Sequence, residues 1–340
     1  MLLNIYSIII VSKISDNYIV LGVNNMSKNT KIIGLTIVIA AFLLIIFTLY
    51  GMSNENTETV KIGYLPTDHD AALFVANATG MFKDAGMNVE LYEYNNGGDL
   101  MSAMASGDLD VGYVGITPVI YSMSKGVPVK IVAGAQNEGS GLLSHSSSIK
   151  SITDLKGKTV ATPGEASIQS VLLKYALKKN GLSISDIESP SMKVSSMNDA
   201  LRTKSIDAML TYEPYVSISK EVNNQTLVER SGDILPDHPC CVVVMNEKFL
   251  SGHSDKAKKI LDIHKKATEK IKENPEGIIQ YLPPHIVPNS EIEKESLTHI
   301  KWVSDLNDTY KKNVNDFLNI EKDLGIINGD IPQKKLFSEI

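Results

Sequence analysis

Residues 32–52, with GLTIVIAAFLLIIFTLYGM at their centre, form an almost unbroken apolar run. The run lacks a polar face and is long enough to cross a bilayer. Lys28 and Lys31 precede it, and Glu55 and Glu58 follow. That order predicts a cytoplasmic leader over 1–31, a transmembrane segment over 32–52 and a chain that continues on the outer face of the membrane. No small-residue cleavage site stands before Gly51, so an uncleaved anchor is expected; cleavage would release the rest as a secreted protein. The stretch MSKNTK from Met26 itself reads as a charged leader, which places the expected start of translation at Met26. Residues 53–59 are polar and read as a linker.

From residue 60 the pattern changes to short β-branched runs alternating with segments of helical period. Val60–Leu65 reads as a strand ended by Pro66, followed by a helix over Asp70–Phe82 with Asp68 or Asp70 as its cap. Val89–Tyr94 and Val129–Gly134 read as further strands, with a short one at Ser191–Ser195. Ile168, Val171, Leu172, Tyr175 and Ala176 share one helical face after a Ser167 cap. Val242–Met245 is an apolar strand expected to rejoin the first sheet. The remainder is charged and helical over Lys256–Asn274, Glu291–Val303 and Leu306–Leu324, with Trp302 expected to staple a helix.

One unit recurs. GGDLMSAMASGDLDVGYVGITP at Gly97–Pro118 passes from helix to strand to helix, and SSMNDALRTKSIDAMLTYEP at Ser195–Pro214 repeats the scheme. Leu109-Asp110 matches Ile206-Asp207, and Pro118 roughly matches Pro214. Thr117 is expected to cap the helix that opens at Pro118, and Ser196 the helix of the second unit. Two such units predict two similar lobes across a cleft, with helix N–H groups aimed at the carboxyl ends of the strands.

Composition narrows the function. The 340 residues carry a formal net charge of −6, which argues against nucleic acid as the main partner. Arg202 and Arg230 are the two arginines, so bidentate anion clamps are scarce. Cys240 and Cys241 are the two cysteines; adjacent, they cannot staple the fold, and a metal site would need distant partners. We expect them to pack at the start of a buried strand. No GxSxG nucleophile motif is present.

The succession KIGYLP, G-MFKDAGMNVEL, GGDLMSAMASGDLDVGYVG, DLKGKTVATPGEASIQSVLLKYALKKNGL and DAMLTYEPYV resembles the extracytoplasmic solute-binding proteins of ABC importers. It is most similar to their nitrate/sulfonate/taurine/bicarbonate group, related to thiamine-pyrimidine-binding proteins. The resemblance spans residues 59–338. It implies an α/β, two-lobed type II periplasmic-binding-protein fold, each lobe a mostly parallel sheet flanked by helices. Lobe I would cover 60–137, lobe II 138–241, and 242–340 would return to lobe I and add C-terminal helices. An ABC permease and a cytoplasmic ATPase would be the partners. No cofactor, resident metal or catalytic residue is implied.

Transferred onto this chain, the ligand contacts would be Thr67, Asp68, His69 and Asp70, then Asn96, Gly97 and Gly98, then Gly115, Ile116 and Thr117. The crossover adds Gln136, Asn137 and Glu138; the second lobe adds Thr162, Gly164, Glu165, Ser167, Tyr212 and Glu213. Acids are frequent in this set and arginine is absent, so a carboxylate facing the cleft would call for a ligand with an ammonium group or strong hydrogen-bond donors. The expected cargo is a taurine- or alkanesulfonate-type organic anion or zwitterion, with aminosulfonates bound more tightly than nitrate. The alternatives are a thiamine-pyrimidine precursor as cargo and, in a different class, an enzyme on the same fold.

Overall fold

The computed structural model describes residues 11–14, 17–20, 39–43, 58–287 and 289–340. Two compact units divide at Thr57. In the first, β1 (Val11–Ile14) and β2 (Asn17–Val20) form an antiparallel hairpin, and residues 39–43 are helical. The expected membrane run otherwise lies outside the described residues, as do the Met26 leader and most of the linker. No helix among the described residues is long and apolar enough to cross a membrane.

The second unit holds two sheets. Strands β3 (Val60–Tyr64), β4 (Val89–Glu93) and β5 (Val111–Gly115) are parallel to one another. Next to β5 lies β11 (Pro239–Asn246), then β6 (Val129–Glu138), then β12 (Ile300–Trp302), each antiparallel to its neighbour. The second sheet has the order β10 (Thr226–Arg230), β7 (Ser140–Ser144), β9 (Ala208–Tyr212), β8 (Val160–Ala161). In it only β8 and β9 are parallel.

Both sheets are therefore mixed, where mostly parallel ones were expected. The antiparallel strands are largely those that carry the chain between sheets: β6 leads into β7 through Glu138 and Gly139, and β11 brings it back. Both turning residues have positive φ, 62° and 78°. Glycine reaches that region freely; Glu138 is held in it by the Asp237 amide and Lys301, which donate to its carboxylate, and by its own amide, which donates to the His238 carbonyl. β12 and Trp302 replace the expected helix end: Trp302 pairs with Gln136 at the sheet edge. Ser191 forms an isolated bridge to Thr162 instead of a strand.

Burial on both faces explains the apolar runs. In β11, Val243 and Met245 join a core with Phe74, Ile260 and Ile271 of the helices Ala71–Ala78 and Ser254–Glu273. Val242 and Val244 face the opposite core, with Leu100, Ile120 and Phe317. A parallel or central strand covered on both sides reads as continuous hydrophobicity. The smaller sheet divides likewise: Leu142 and Leu210 join the large core, while Leu143 and Met209 pack with Met197 and Val216.

The internal repeat is visible at atomic level. Asp110 accepts the Lys61 amide at 2.9 Å, and Asp207 accepts the Thr159 amide at 2.9 Å. Each aspartate thus ties the entry of its own strand to that of a parallel neighbour. The helix starts differ from expectation. Helix Ile116–Ser124 begins two residues before Pro118 with Gly115 as its N-cap, and Thr117 does not cap it. Helix Val194–Arg202 has Lys193 at its cap, and Ser196 lies inside it.

Candidate functional site

A cavity of about 320 Å³ opens where strand ends and helix starts converge. Three helices point their amino ends at it. Asn96 caps Gly97–Ser106 by accepting the Asp99 amide at 2.9 Å, and Gly97 and Gly98 line the cavity. Gly115 at the start of Ile116–Ser124 lines it too. Ser167 caps Ile168–Lys179 by accepting the Ser170 amide at 3.1 Å, and Ser167, Ile168 and Gln169 complete that wall. First-turn N–H groups have no partner within their own helix and carry the positive end of its dipole. No lysine or arginine is among the lining residues. Leu65, Pro118, Val194 and Tyr212 give the cavity an apolar side.

His69 lies at the floor. Thr67 caps the short helical turn Asp68–Asp70 by accepting the His69 amide at 3.2 Å, and its hydroxyl donates to the Glu213 carbonyl at 3.0 Å. The first strand's loop is thereby fastened to the end of β9. Of the two expected caps, Asp70 stands at the N-cap position of helix Ala71–Ala78 but makes no side-chain capping bond. The His69 ring places Nε2 3.1 Å from the Gly139 carbonyl and Nδ1 3.7 and 3.9 Å from the sulfurs of Cys240 and Cys241. A Cβ on Gly139 would sit 2.5 Å from Nε2, so the crossover glycine is needed for space as well as for φ. Burial disfavours a charged ring here, yet the Cys240 sulfur in its thiolate form and the carboxylates of Asp68 and Asp70 outweigh it and raise His69 to about 9.

The acids take other positions. Asp68 and Asp70 are buried beside the floor and do not line the cavity. Asp68 accepts the Ser296 hydroxyl, and Asp70 accepts the Leu65 amide at 3.0 Å. Burial pushes the Asp70 carboxyl up to about 8 despite that amide. Glu213 is fully buried and paired to Arg230 at 2.5 Å. Glu138 pairs with Lys301 at 2.7 Å and lines a separate cavity of about 150 Å³ with Arg230 and His299. Glu165 does line the main cavity, at its rim, where Lys174 holds its carboxylate at 2.6 Å. The carboxylates are thus occupied by protein groups rather than turned to a ligand.

Of the residues singled out from the sequence, Thr67, His69, Asn96, Gly97, Gly98, Gly115, Gly164, Glu165, Ser167 and Tyr212 come together around the cavity. Ile116, Thr117, Gln136, Asn137 and Thr162 lie behind it, buried. Leu65, Asn95, Pro118, Val194, Gln169, Cys240 and Cys241 line it without having been singled out as contacts. The cysteines do start a buried strand, as expected, but they also face the cavity. Adjacent strand residues normally point to opposite faces. Here Pro239 pairs with Asn137 and Cys241 with Gln136, so Cys240 is an extra residue in a bulge. A bulge re-aims side chains, and no local sequence signal announces it. Among the described residues, His69, Cys240 and Cys241 form the cluster with donor atoms close enough to share a metal ion.

The fold is that of periplasmic binding proteins. It matches the ligand-binding component of an ABC-type import system from Staphylococcus aureus, solved with zinc bound. The TM-score is 0.74 and the identity 21%, covering 83% of this chain and 96% of that one. It also matches the alkanesulfonate-binding protein SsuA from Xanthomonas axonopodis pv. citri bound to MOPS. There the TM-score is 0.71 and the identity 18%, covering 80% and 94%. By sequence the chain belongs to the NMT1-like family, whose profile matches residues 53–280. A Brucella abortus protein provisionally named as a binding protein is 27% identical over 221 residues, 64% of this chain and 68% of that one. The Saccharomyces cerevisiae 4-amino-5-hydroxymethyl-2-methylpyrimidine phosphate synthase THI11 is 23% identical over 232 residues, 64% and 67% of the two chains.

Proposed function

We infer that this protein is the extracytoplasmic solute-binding component of an ABC importer, held at the membrane by residues 32–52, and that its cargo is a small organic anion of the alkanesulfonate type. The observation that carries this reading is the convergence of three helix amino ends on one cavity whose lining holds no lysine or arginine. Backbone N–H groups at helix starts seat sulfonate or carboxylate oxygens. The apolar side formed by Leu65, Pro118, Val194 and Tyr212 suits a short alkyl or aryl tail. Because the carboxylates are engaged elsewhere, an ammonium group on the solute is not required, and taurine loses its advantage over ethanesulfonate. The relatives that bind solutes for import support the class, and a permease with its ATPase would receive the closed, loaded form.

Calorimetry on the full chain with ethanesulfonate, taurine and nitrate tests this. Ethanesulfonate is expected to bind at least as tightly as taurine and more tightly than nitrate, which has no tail for the apolar side. Nitrate bound in preference to both sulfonates, or no binding of any of the three, would overturn the reading.

A further inference from the structure

We propose that His69, Cys240 and Cys241 form a zinc-class metal site at the floor of the cavity, with its fourth coordination position open to the bound solute. The three donor atoms lie within 4.8 Å of one another, and all three residues are buried. Zinc takes Zn–S near 2.3 Å and Zn–N near 2.0–2.1 Å in tetrahedral sites, which sets ligand edges of about 3.6 Å for N to S and about 3.8 Å for S to S. The Nδ1-to-sulfur distances of 3.7 and 3.9 Å are within a few tenths of an ångström of that edge.

The orientation of the histidine supports the same assignment. The Gly139 carbonyl can only accept, so Nε2, 3.1 Å away, carries a ring proton. Nδ1 is the ring nitrogen that faces the two sulfurs, and its lone pair becomes available once an incoming metal displaces its proton. A metal-bound histidine characteristically gives its other N–H to a carbonyl or carboxylate, which fixes tautomer and ring angle. The bulge at Cys240 is what brings two adjacent sulfurs to one side. Zn²⁺ entering this site displaces two protons to solvent, one shared by His69 and Cys240 and one from Cys241, and two thiolates with one neutral imidazole then balance its charge. A neutral group is the form that tolerates burial. Thiolates select soft or borderline metals over magnesium or calcium.

All three residues line the cavity, so three protein ligands leave the remaining position facing the solute. That fourth position rests on the reading of the cavity as the solute site; capture of the metal by the three side chains does not.

The test uses the full chain, reduced and stripped of metal. Native mass spectrometry is expected to show one zinc bound with loss of two protons beyond the charge state. Cobalt is expected to give sulfur-to-cobalt charge-transfer bands and the strong visible bands of tetrahedral coordination. Cys240→Ser, Cys241→Ser and His69→Gln are each expected to weaken zinc binding by more than about tenfold, the loss seen even for outer-shell partners. Thermal melts of the metal-free variants check that they fold, and the mass and spectra of the unaltered chain need no variant. No zinc retained, cobalt bound without sulfur bands, or cysteine variants that bind as well as the parent would overturn the site. Ethanesulfonate should shift the visible cobalt bands. If calorimetry shows it bound and the bands do not move, the open fourth position is wrong. If it binds neither with nor without metal, the proposed cargo fails while the metal site stands.

Discussion

Gly139→Ala probes the point where the two sheets join. Gly139 has φ of 78°, and a Cβ there would lie 2.5 Å from His69 Nε2 and 3.0 Å from its Cε1. Two effects add. An alanine forced into the left-handed region costs about 1–2 kcal/mol. Displacing the buried imidazole also breaks its bond to the Gly139 carbonyl and leaves a buried polar pair unsatisfied, about 1–3 kcal/mol more. The expected destabilisation is roughly 2–5 kcal/mol. Gly126→Ala supplies the control: φ is 88°, and nothing lies within 4 Å of the added Cβ. It should show the backbone part alone, about 1–2 kcal/mol. Urea denaturation of both variants, followed by circular dichroism, measures the difference. Equal losses would refute the argument that the His69 contact fixes glycine at the crossover.

Other consequences follow from buried polar groups. Arg230→Met strands the carboxylate of Glu213, which is fully buried; a loss of about 3–5 kcal/mol in urea melts is expected, with Arg230→Lys recovering part. His264 is buried with Nε2 2.8 Å from the Gly134 carbonyl, and burial lowers it to about 4. Its contribution is full above the unfolded value of about 6.5 and is lost as pH falls toward 4, by about 3 kcal/mol; a flat stability profile over that window would contradict this. Glu293 is raised by burial and by the nearby carboxylates of Asp68 and Glu213. Its share of stability is therefore present at low pH and declines as pH rises through its raised value, so Glu293→Gln should flatten the alkaline side of the melting-temperature profile. Thr67→Val removes the hydroxyl that donates to the Glu213 carbonyl and accepts the His69 amide; solute affinity by calorimetry should fall, with a stability loss of about 1–3 kcal/mol from the buried groups left unpaired.

The sequence by itself determined the strongly patterned elements and their order. Period and β-branching are local properties, so strands at Val60, Val89, Val111 and Val242 and the helix after Ser167 were legible. The repeat was legible too, down to Asp110 and Asp207, because each aspartate acts at the entry of its own strand. Weak strands such as Ser140–Ser144, with glycine and serine in five residues, were not; sheet pairing on both edges overrides their propensity. Cavity-lining loops could be named from strand ends, but not the direction of each side chain within them.

Only the tertiary structure decided that direction. The acids near the cleft looked like ligand contacts, and the fold engages them with Ser296, the Leu65 amide, Lys301, Lys174 and Arg230 instead. Two of those partners, Ser296 and Lys301, lie 228 and 163 residues along the chain, and burial favours the arrangement in which each carboxyl group has a hydrogen-bond or ion-pair partner. The cysteines show the same limit in reverse. As neighbours they looked unable to build a site, until a bulge turned both sulfurs toward a histidine 171 residues away. A pairing register and a distant side chain set that geometry, and neither is a property of any stretch of sequence short enough to read by pattern.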